Sequence, residues 1–575
     1  MTGFDDVDRL VTEYQRRGGQ PGLAYGIVRG GELVHARGLG ERRLGGPPPD
    51  EDTVFRIASM TKSFTAAAVL LLRDEGALAL DDPAGNYVPE LRGWPPVTAD
   101  AARISIRHLL TMTAGFPTDD PWGDRQQGLP LDEFAKFLAS GVSAAWAPGT
   151  RFEYSNLGYA ILGRVITAVT KMEYPDFVGE RLLNPLGMTR SGYEPAAEEG
   201  LARGYRRAPG GWEEVPFDPC GAFAPMGGIF TCVKDLARWV AGFAAAFPPG
   251  NQDHGAYHPL SRASRREMQF PHAPTGWDRP AGFPANGTRS GYGFGLVADD
   301  DKDFGRIAGH GGGYPGFGSH MRWHPVTGIG VIALGNSTYA RMAPLTARIL
   351  DVLLRQDESG RPDQPAGPAA AVALAPQPVW PQTLAARDAV DQLLQSWDDA
   401  AADRIFSPNV AQDAPYHERR RAIARIRDRI GAFRADPRPA EHDSPAHCRW
   451  WLSGEDGVVQ AQIQLTPERP PRVQSLTLAV PPERGSALGD LLGSFVSWLN
   501  GGEPVPVSEG VDAGLLTRRV HAAAAWIGPC ALDSYAAGDG VGAVTVRLAG
   551  QHADLTVSLS IDTATRLLVA ADLVS

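Results

Sequence analysis

Residues 56–72, RIASMTKSFTAAAVLLL, set a lysine three residues after a serine and directly ahead of an apolar run. No other stretch constrains the fold as much. Alanine, valine and leucine at this density make a helix that packs into a core, and an ammonium carried into that core is costly unless it is partnered. Only five of the 55 basic residues are lysines, so Lys62 is hard to explain as a solubility device. A helix beginning near Ser59 puts its hydroxyl at the positive end of the helix dipole, beside free backbone N–H groups. Lys62 follows one turn later on the same face. Desolvation lowers a lysine pKa, so the amine can accept the serine proton. Ser59 and Lys62 then form an activated nucleophile. The same spacing also occurs where a helix merely starts with a snorkelling lysine, so other motifs must decide.

Two do. In EYSNLGYAILG, Tyr154, Ser155 and Asn156 precede an apolar helix. Ser155 or Asn156 can cap that helix, while a phenol and a carboxamide also suit proton transfer and substrate hydrogen bonding. In AGHGGGYPGFGSH, His310 is followed by Gly311, Gly312 and Gly313. Such a stretch is either a flexible turn or a strand edge without side chains, which lets a substrate reach backbone N–H groups.

SMTK, YSN and HGG in this order resemble the serine β-lactamase and penicillin-binding superfamily, in its class C-like branch. D-aminopeptidases, family VIII esterases and penicillin-binding-type thioesterases belong there (peptidase family S12-like). HLLTMTAGF, MGGIFTCVKDLARWV and IGVIALGN add to the resemblance, which covers about residues 8–355. It implies an α/β (α+β) catalytic domain, an antiparallel sheet flanked by helices. It implies Ser59 as nucleophile, Lys62 taking or relaying its proton, and Tyr154 as general base and then acid. Asn156 would bind the substrate amide and orient Lys62. His310 would polarise Tyr154 or contact substrate, and Gly311, Gly312 and Gly313 would line the substrate strand. The N–H groups of Ser59 and Gly313 would form the oxyanion hole.

His310 stands where many relatives have lysine. A histidine is a weaker anchor for a substrate carboxylate, and its charge near neutrality depends on surroundings. The expectation is therefore a serine hydrolase acting on amide or ester bonds of small peptides or acyl esters, with β-lactamase and carboxypeptidase activity disfavoured. A low-turnover acyl-binding receptor and an acyl-transfer enzyme (thioesterase or peptide cyclase) remain open on the same motifs.

Other residues read as structural. Glu153 suits a strand edge, His108 a helix start, and His320 and His324 a strand face away from Ser59. Asp299, Asp300, Asp301 and Asp303 read as a solvated acidic turn, since their spacing lacks a calcium-loop pattern. Trp122, Trp146, Trp212, Tyr292, Tyr314 and Phe317 supply core or a substrate wall.

A chain of 575 residues exceeds what one core fills. Residues 1–355 read as the hydrolase domain, opening with a hairpin at GLAYGIVRGGELVHARGLGERR and closing with glycine-divided strands and the helix APLTARILDVLLRQ. Early and late strands around a helical middle predict one sheet built from both ends. Residues 356–382 hold six prolines and read as a semi-rigid linker. Beyond it, LLQSW and LLGSF, and WLSGEDGVVQAQIQL and RLAGQHADLTVSLSI, mark a faint repeat. It predicts two small α+β modules, 383–482 and 483–575, each with two helices before an antiparallel sheet. These loosely resemble NTF2-like modules, and two copies could bury their sheets against each other or support a homo-oligomer.

The net charge of −11 argues against nucleic acid or an anionic membrane as partner. MTGFDDVDRLVTEY lacks the features of a secretory signal, and no stretch approaches a membrane span, so a cytoplasmic protein is expected. Cys220, Cys232, Cys448 and Cys530 are too scattered for a disulfide framework, and reduced thiols are expected. Without CxxC or HExxH, neither metal nor organic cofactor is expected.

Overall fold

The computed structural model describes residues 4–16, 19–195, 200–208, 210–247, 258–275, 289–301, 304–357, 379–442, 444–483, 485–508, 511, 513–550 and 554–574. They fall into two compact units, one ending at Asp357 and one beginning at 379. Most of the expected linker, 358–378, lies outside the described residues.

In the first unit, β1 (Gly22–Arg29) and β2 (Glu32–Gly40) form the expected hairpin. Gly30 and Gly31 turn it with φ of 60° and 84°, as a two-residue turn matched to strand twist requires. The far end of the section adds β3 (Ala273–Pro274), β4 (Arg289–Tyr292), β5 (Val297–Asp301), β6 (Gly305–Tyr314), β7 (Phe317–His324) and β8 (Ile329–Gly335). The sheet order is β2-β1-β8-β7-β6-β5-β4-β3, antiparallel throughout. The β1–β8 pairing closes it from both chain ends, with Ala24 opposite Leu334 and Gly26 opposite Ile332.

Helices cover both faces. Leu23, Tyr25 and Ile27 share a core with Val7 and Val11 of α1 (Asp5–Arg16), and with residues of a carboxy-terminal helix at 342–356. On the other face lie α2 (Thr61–Asp74), α3 (Asn156–Thr170) and α4 (Val233–Ala244), with α4 packed on β1 and β8. The carboxy-terminal helix is α5 (Met342–Gln356). Burial on both faces explains why β1 and β8 read as nearly unbroken apolar runs rather than alternating ones. The acidic turn expected near Asp299 is instead part of strand β5 (Asp303 lies outside the described residues). There Ser290 Oγ donates to Asp299 at 2.5 Å and Arg306 Nε donates to Asp300 at 2.6 Å. Cross-strand partners let these acids sit in a ladder that composition alone argued against.

The second unit opens with α6 (Pro381–Gln395), two short helices at Asp399–Ile405 and Asn409–Asp413, and α7 (Tyr416–Ile430). Four strands follow: β9 (Arg434–Ala435), β10 (His447–Ser453), β11 (Val458–Leu465) and β12 (Val473–Ala479). The order then recurs with α8 (Ala487–Leu499), α9 (Ala513–Ile527), β13 (Cys530–Gly538), β14 (Ala543–Gly550), β15 (Asp554–Asp562) and β16 (Leu567–Val574). The two sets join edge to edge into one eight-stranded sheet, antiparallel except where β12 meets β13 in parallel at Ala479 and Gly538. They do not bury their sheets against each other. Each apolar face already carries its own helices, which gives one core around Leu394, Ile430 and Ile463 and another around Phe495, Val520 and Val557.

Candidate active site

Ser59 lies in a short 3-10 turn, Ala58–Met60, that runs into α2. Ala58 before it has φ of 48°, a left-handed conformation that a non-glycine residue adopts only where its surroundings impose it. β6 runs beside this turn. Ser319 Oγ donates to Ile57 O at 2.7 Å, tying β7 to the same backbone. A Cβ on Gly312 would stand 2.1 Å from Ile57 O and 2.3 Å from Ser319 Oγ. Only glycine allows that approach.

Lys62 is fully buried, within a run from Thr61 to Leu72 that is buried throughout. Its ammonium is completely partnered. Nζ donates to Ser59 Oγ at 2.9 Å, to Asn156 Oδ1 at 2.7 Å and to the Met226 carbonyl at 2.9 Å. Burial pushes its pKa down to about 8, against the pull of Asp120, Asp124 and Asp119. Tyr154 shares a hydrogen bond with Ser59, and its ring centroid is 4.9 Å from Lys62 Nζ. Burial, with the nearby Asp120 carboxylate, holds the Tyr154 phenol well above its ordinary pKa.

Asn156 begins α3, capped by Ser155 Oγ, which accepts from Gly158 N at 3.2 Å. Asp119 reinforces that terminus by accepting from the backbone N–H groups of Asn156 at 2.7 Å and Leu157 at 3.0 Å. The Asn156 amide donates to Asp120 Oδ1 at 2.9 Å, which leaves its oxygen facing Lys62. Sequence reasoning missed these acids. Asp119, Asp120 and Asp124 crowd TDDPWGD, a motif whose three carboxylates within six residues were the available signal. Burial raises all three, Asp119 to about 7 and Asp124 to about 8. Lys62 is the cation that opposes the rise at Asp120.

His310 is buried on β6, its ring centroid 6.4 Å from that of Tyr154. Its Nδ1 donates to Gly311 O at 2.5 Å, since a carbonyl can only accept. Its Nε2 is 3.1 Å from the Tyr292 hydroxyl. Burial, with Lys62 nearby, pushes its pKa down to about 3, so the ring is neutral and Tyr292 donates to Nε2. His310 thus meets Tyr292, a residue the sequence left among the aromatics, rather than forming a hydrogen bond to Tyr154.

The residues set aside as structural have structural partners. Glu153 accepts from Thr118 Oγ1 at 2.6 Å and from Trp146 Nε1 at 2.9 Å. His108 and Ser105 form a capping box. His320 pairs with Thr346 on α5, and His324 with the Phe304 carbonyl. All four cysteines are free thiols. Among the described residues no helix is long and apolar enough to cross a membrane.

The Beta-lactamase family model matches residues 7–354. Protein flp of Staphylococcus aureus (strain N315) is 26% identical over 339 residues, covering 57% of this chain and 62% of that protein. The D-alanyl-D-alanine-carboxypeptidase/endopeptidase AmpH of Escherichia coli (strain K12) is 26% identical over 360 residues, covering 61% of this chain and 88% of AmpH. The octameric penicillin-binding protein homologue from Pyrococcus abyssi superposes with a TM-score of 0.53 at 18% identity, over 100% of both chains, a likeness of fold. With a match over more than half its length, the chain belongs to the beta-lactamase family.

Proposed function

We propose that the protein is a serine hydrolase that cleaves amide or ester bonds of small peptides or acyl esters through an acyl-Ser59 intermediate. One observation carries this: the three partners of Lys62 Nζ. Two of them, Asn156 Oδ1 and the Met226 carbonyl, can only accept. Once the ammonium loses a proton, its two remaining hydrogens stay on those oxygens. The lone pair is then left facing Ser59 Oγ, 2.9 Å away. A pKa of about 8 makes that form accessible near neutrality.

Ser59 Oγ gives its proton to Lys62 Nζ and attacks the substrate carbonyl carbon. The oxyanion forms against the Ser59 and Gly313 N–H groups. As the tetrahedral species collapses, the leaving group takes a proton from Tyr154, which is restored from Lys62. Water then attacks the acyl ester by the reverse route. The raised pKa of Tyr154 suits a donor and relay better than the first base. A neutral His310 supplies no cation for a substrate carboxylate. That favours substrates with neutral or blocked ends over the carboxypeptidase substrates that the name of AmpH describes.

The test is intact-protein mass spectrometry with an alkyl fluorophosphonate, alongside a panel of p-nitroanilides, p-nitrophenyl esters and nitrocefin. The expected result is one adduct on Ser59, multiple turnover of esters or anilides, and loss of both in Ser59→Ala. Labelling that survives Ser59→Ala refutes the assignment.

A further inference from the structure

We propose that Tyr339 is a specificity-determining residue, a bar across the acyl end of the crevice that limits the size of the group transferred to Ser59. The inference rests on the acyl-Ser59 reading above. Three independent features place the bar. Tyr339 follows β8 and precedes α5, yet its ring lies over β6: a Cβ on Gly313 would stand 2.7 Å from Tyr339 Cδ1. Its backbone N–H donates to Tyr314 O at 3.3 Å. Its hydroxyl donates to Asp124 Oδ2 at 2.7 Å, on the helical side of the site, and the Asp124 carboxylate is close enough to act electrostatically on Lys62 and Tyr154. The side chain therefore links the glycine strand to the acidic segment, the two walls between which Ser59 and Lys62 lie.

The residue is also held in an unusual conformation. Its φ is 51°, uncommon for a bulky residue, and 48% of it is exposed despite its size. A strained, half-exposed aromatic fixed at both ends of its side chain is poor core packing and good cleft furniture.

Which end of the crevice it bars follows from the register. The proton donor to the leaving group, Tyr154, neighbours His310. Gly313 is three residues farther along β6, about 10 Å at the rise of an extended strand. Leaving groups thus lie toward His310, and the acyl group toward Gly313 and Tyr339. A short or slender acyl group fits beneath the ring, whereas a long or branched one meets it.

The experiment measures kcat/KM of the full-length protein with p-nitrophenyl acetate, butyrate and octanoate, and with acetate esters of larger phenols. Tyr339→Gly suits the positive φ and removes the bar; Tyr339→Asn, which also tolerates that backbone, serves if the glycine variant folds poorly. The expected result is an octanoate-to-acetate ratio at least about tenfold higher than in the parent, mostly through KM, with acetate turnover retained. The response to leaving-group size should stay unchanged. Tyr339→Phe, which keeps the ring but loses the bond to Asp124, should fall between parent and glycine variant. An acyl-chain ratio within about twofold of the parent in both Tyr339→Gly and Tyr339→Asn overturns the proposal, as does a change confined to leaving-group size. Ester hydrolysis that persists in Ser59→Ala would instead overturn the underlying functional reading.

Discussion

The two units are built with similar apolar economy but treat charge in opposite ways. The first buries Arg56, Lys62, Asp119, Asp124, Asp235, Arg265, Asp299 and Arg322. Among its described residues the second buries no aspartate, glutamate, lysine or arginine; its buried polar groups are hydroxyls, amides and His447. Charge burial is expensive, and a paired buried charge adds little stability over an apolar substitute. Where it concentrates, as around Lys62, its effect is to set protonation states. The second unit keeps its charges in pairs nearer the surface, such as Arg438 with Asp436 at 2.6 Å, and its cores are apolar.

The sharpest way to break this contrast is Lys62→Met, close in volume but unable to accept a proton. It should lower kcat/KM for an activated ester by about 10³-fold, and lower the melting temperature as well, because Asn156 Oδ1 and the Met226 carbonyl lose their donor. Equal activity would show that the buried amine is not the base. Next in size, Asn156→Ala removes an acceptor from Lys62 and a donor to Asp120, and should cost about 10–100-fold in kcat/KM. A pH profile sharpens the same point. The reactive form is the neutral amine, so kcat/KM should rise with pH and level off above about 8.

Asp124 gives a smaller, signed effect. Its folded-state pKa is raised to about 8, so the folded protein keeps a proton that the unfolded chain has released. Stability from this group is full at acid pH and declines as pH climbs from the ordinary carboxylate range toward about 8. Asp124→Asn should flatten that decline in urea midpoints measured across the window. Removing a carboxylate that holds the Lys62 pKa up, it should also move the activity limb to lower pH. At the other extreme, Phe495→Ala in the second unit should cost about 3–5 kcal/mol of that unit's stability. It should leave kcat/KM per folded molecule unchanged, and a changed value would show that the second unit is not chemically silent.

How far the sequence could be read follows the same division. Short-range patterns were legible. The Gly30-Gly31 hairpin, the apolar helix after Lys62 and the glycine-divided strands from Gly305 to Gly335 each announce themselves locally. Helix spacing already paired Ser59 with Lys62, but the approach of Asn156 was legible only through the resemblance, because no local rule brings position 156 beside position 62. What escaped depends on long-range packing. The Asp119, Asp120 and Asp124 cluster looks like a polar loop until burial is known. The pairing of Tyr292 with His310 needs two strands in register. Asp299 read as part of a turn because acids disfavour strands, and the arginine and serine opposite could not be foreseen.

The joined sheet of the second unit has one more consequence, which lies at its margins. One outer strand, β9, is only two residues long and exposed. The other, β16, is met at its start by the segment before α9: Leu568 donates to Pro506 O at 3.2 Å, and Ser508 donates back to Leu568 O at 2.9 Å. Each rim is thus blunted at one end against a further strand. Self-association by strand addition is disfavoured at those two covered ends, and a cut between β12 and β13 would break the one parallel pair, Ala479 with Gly538, through which the two halves share a sheet.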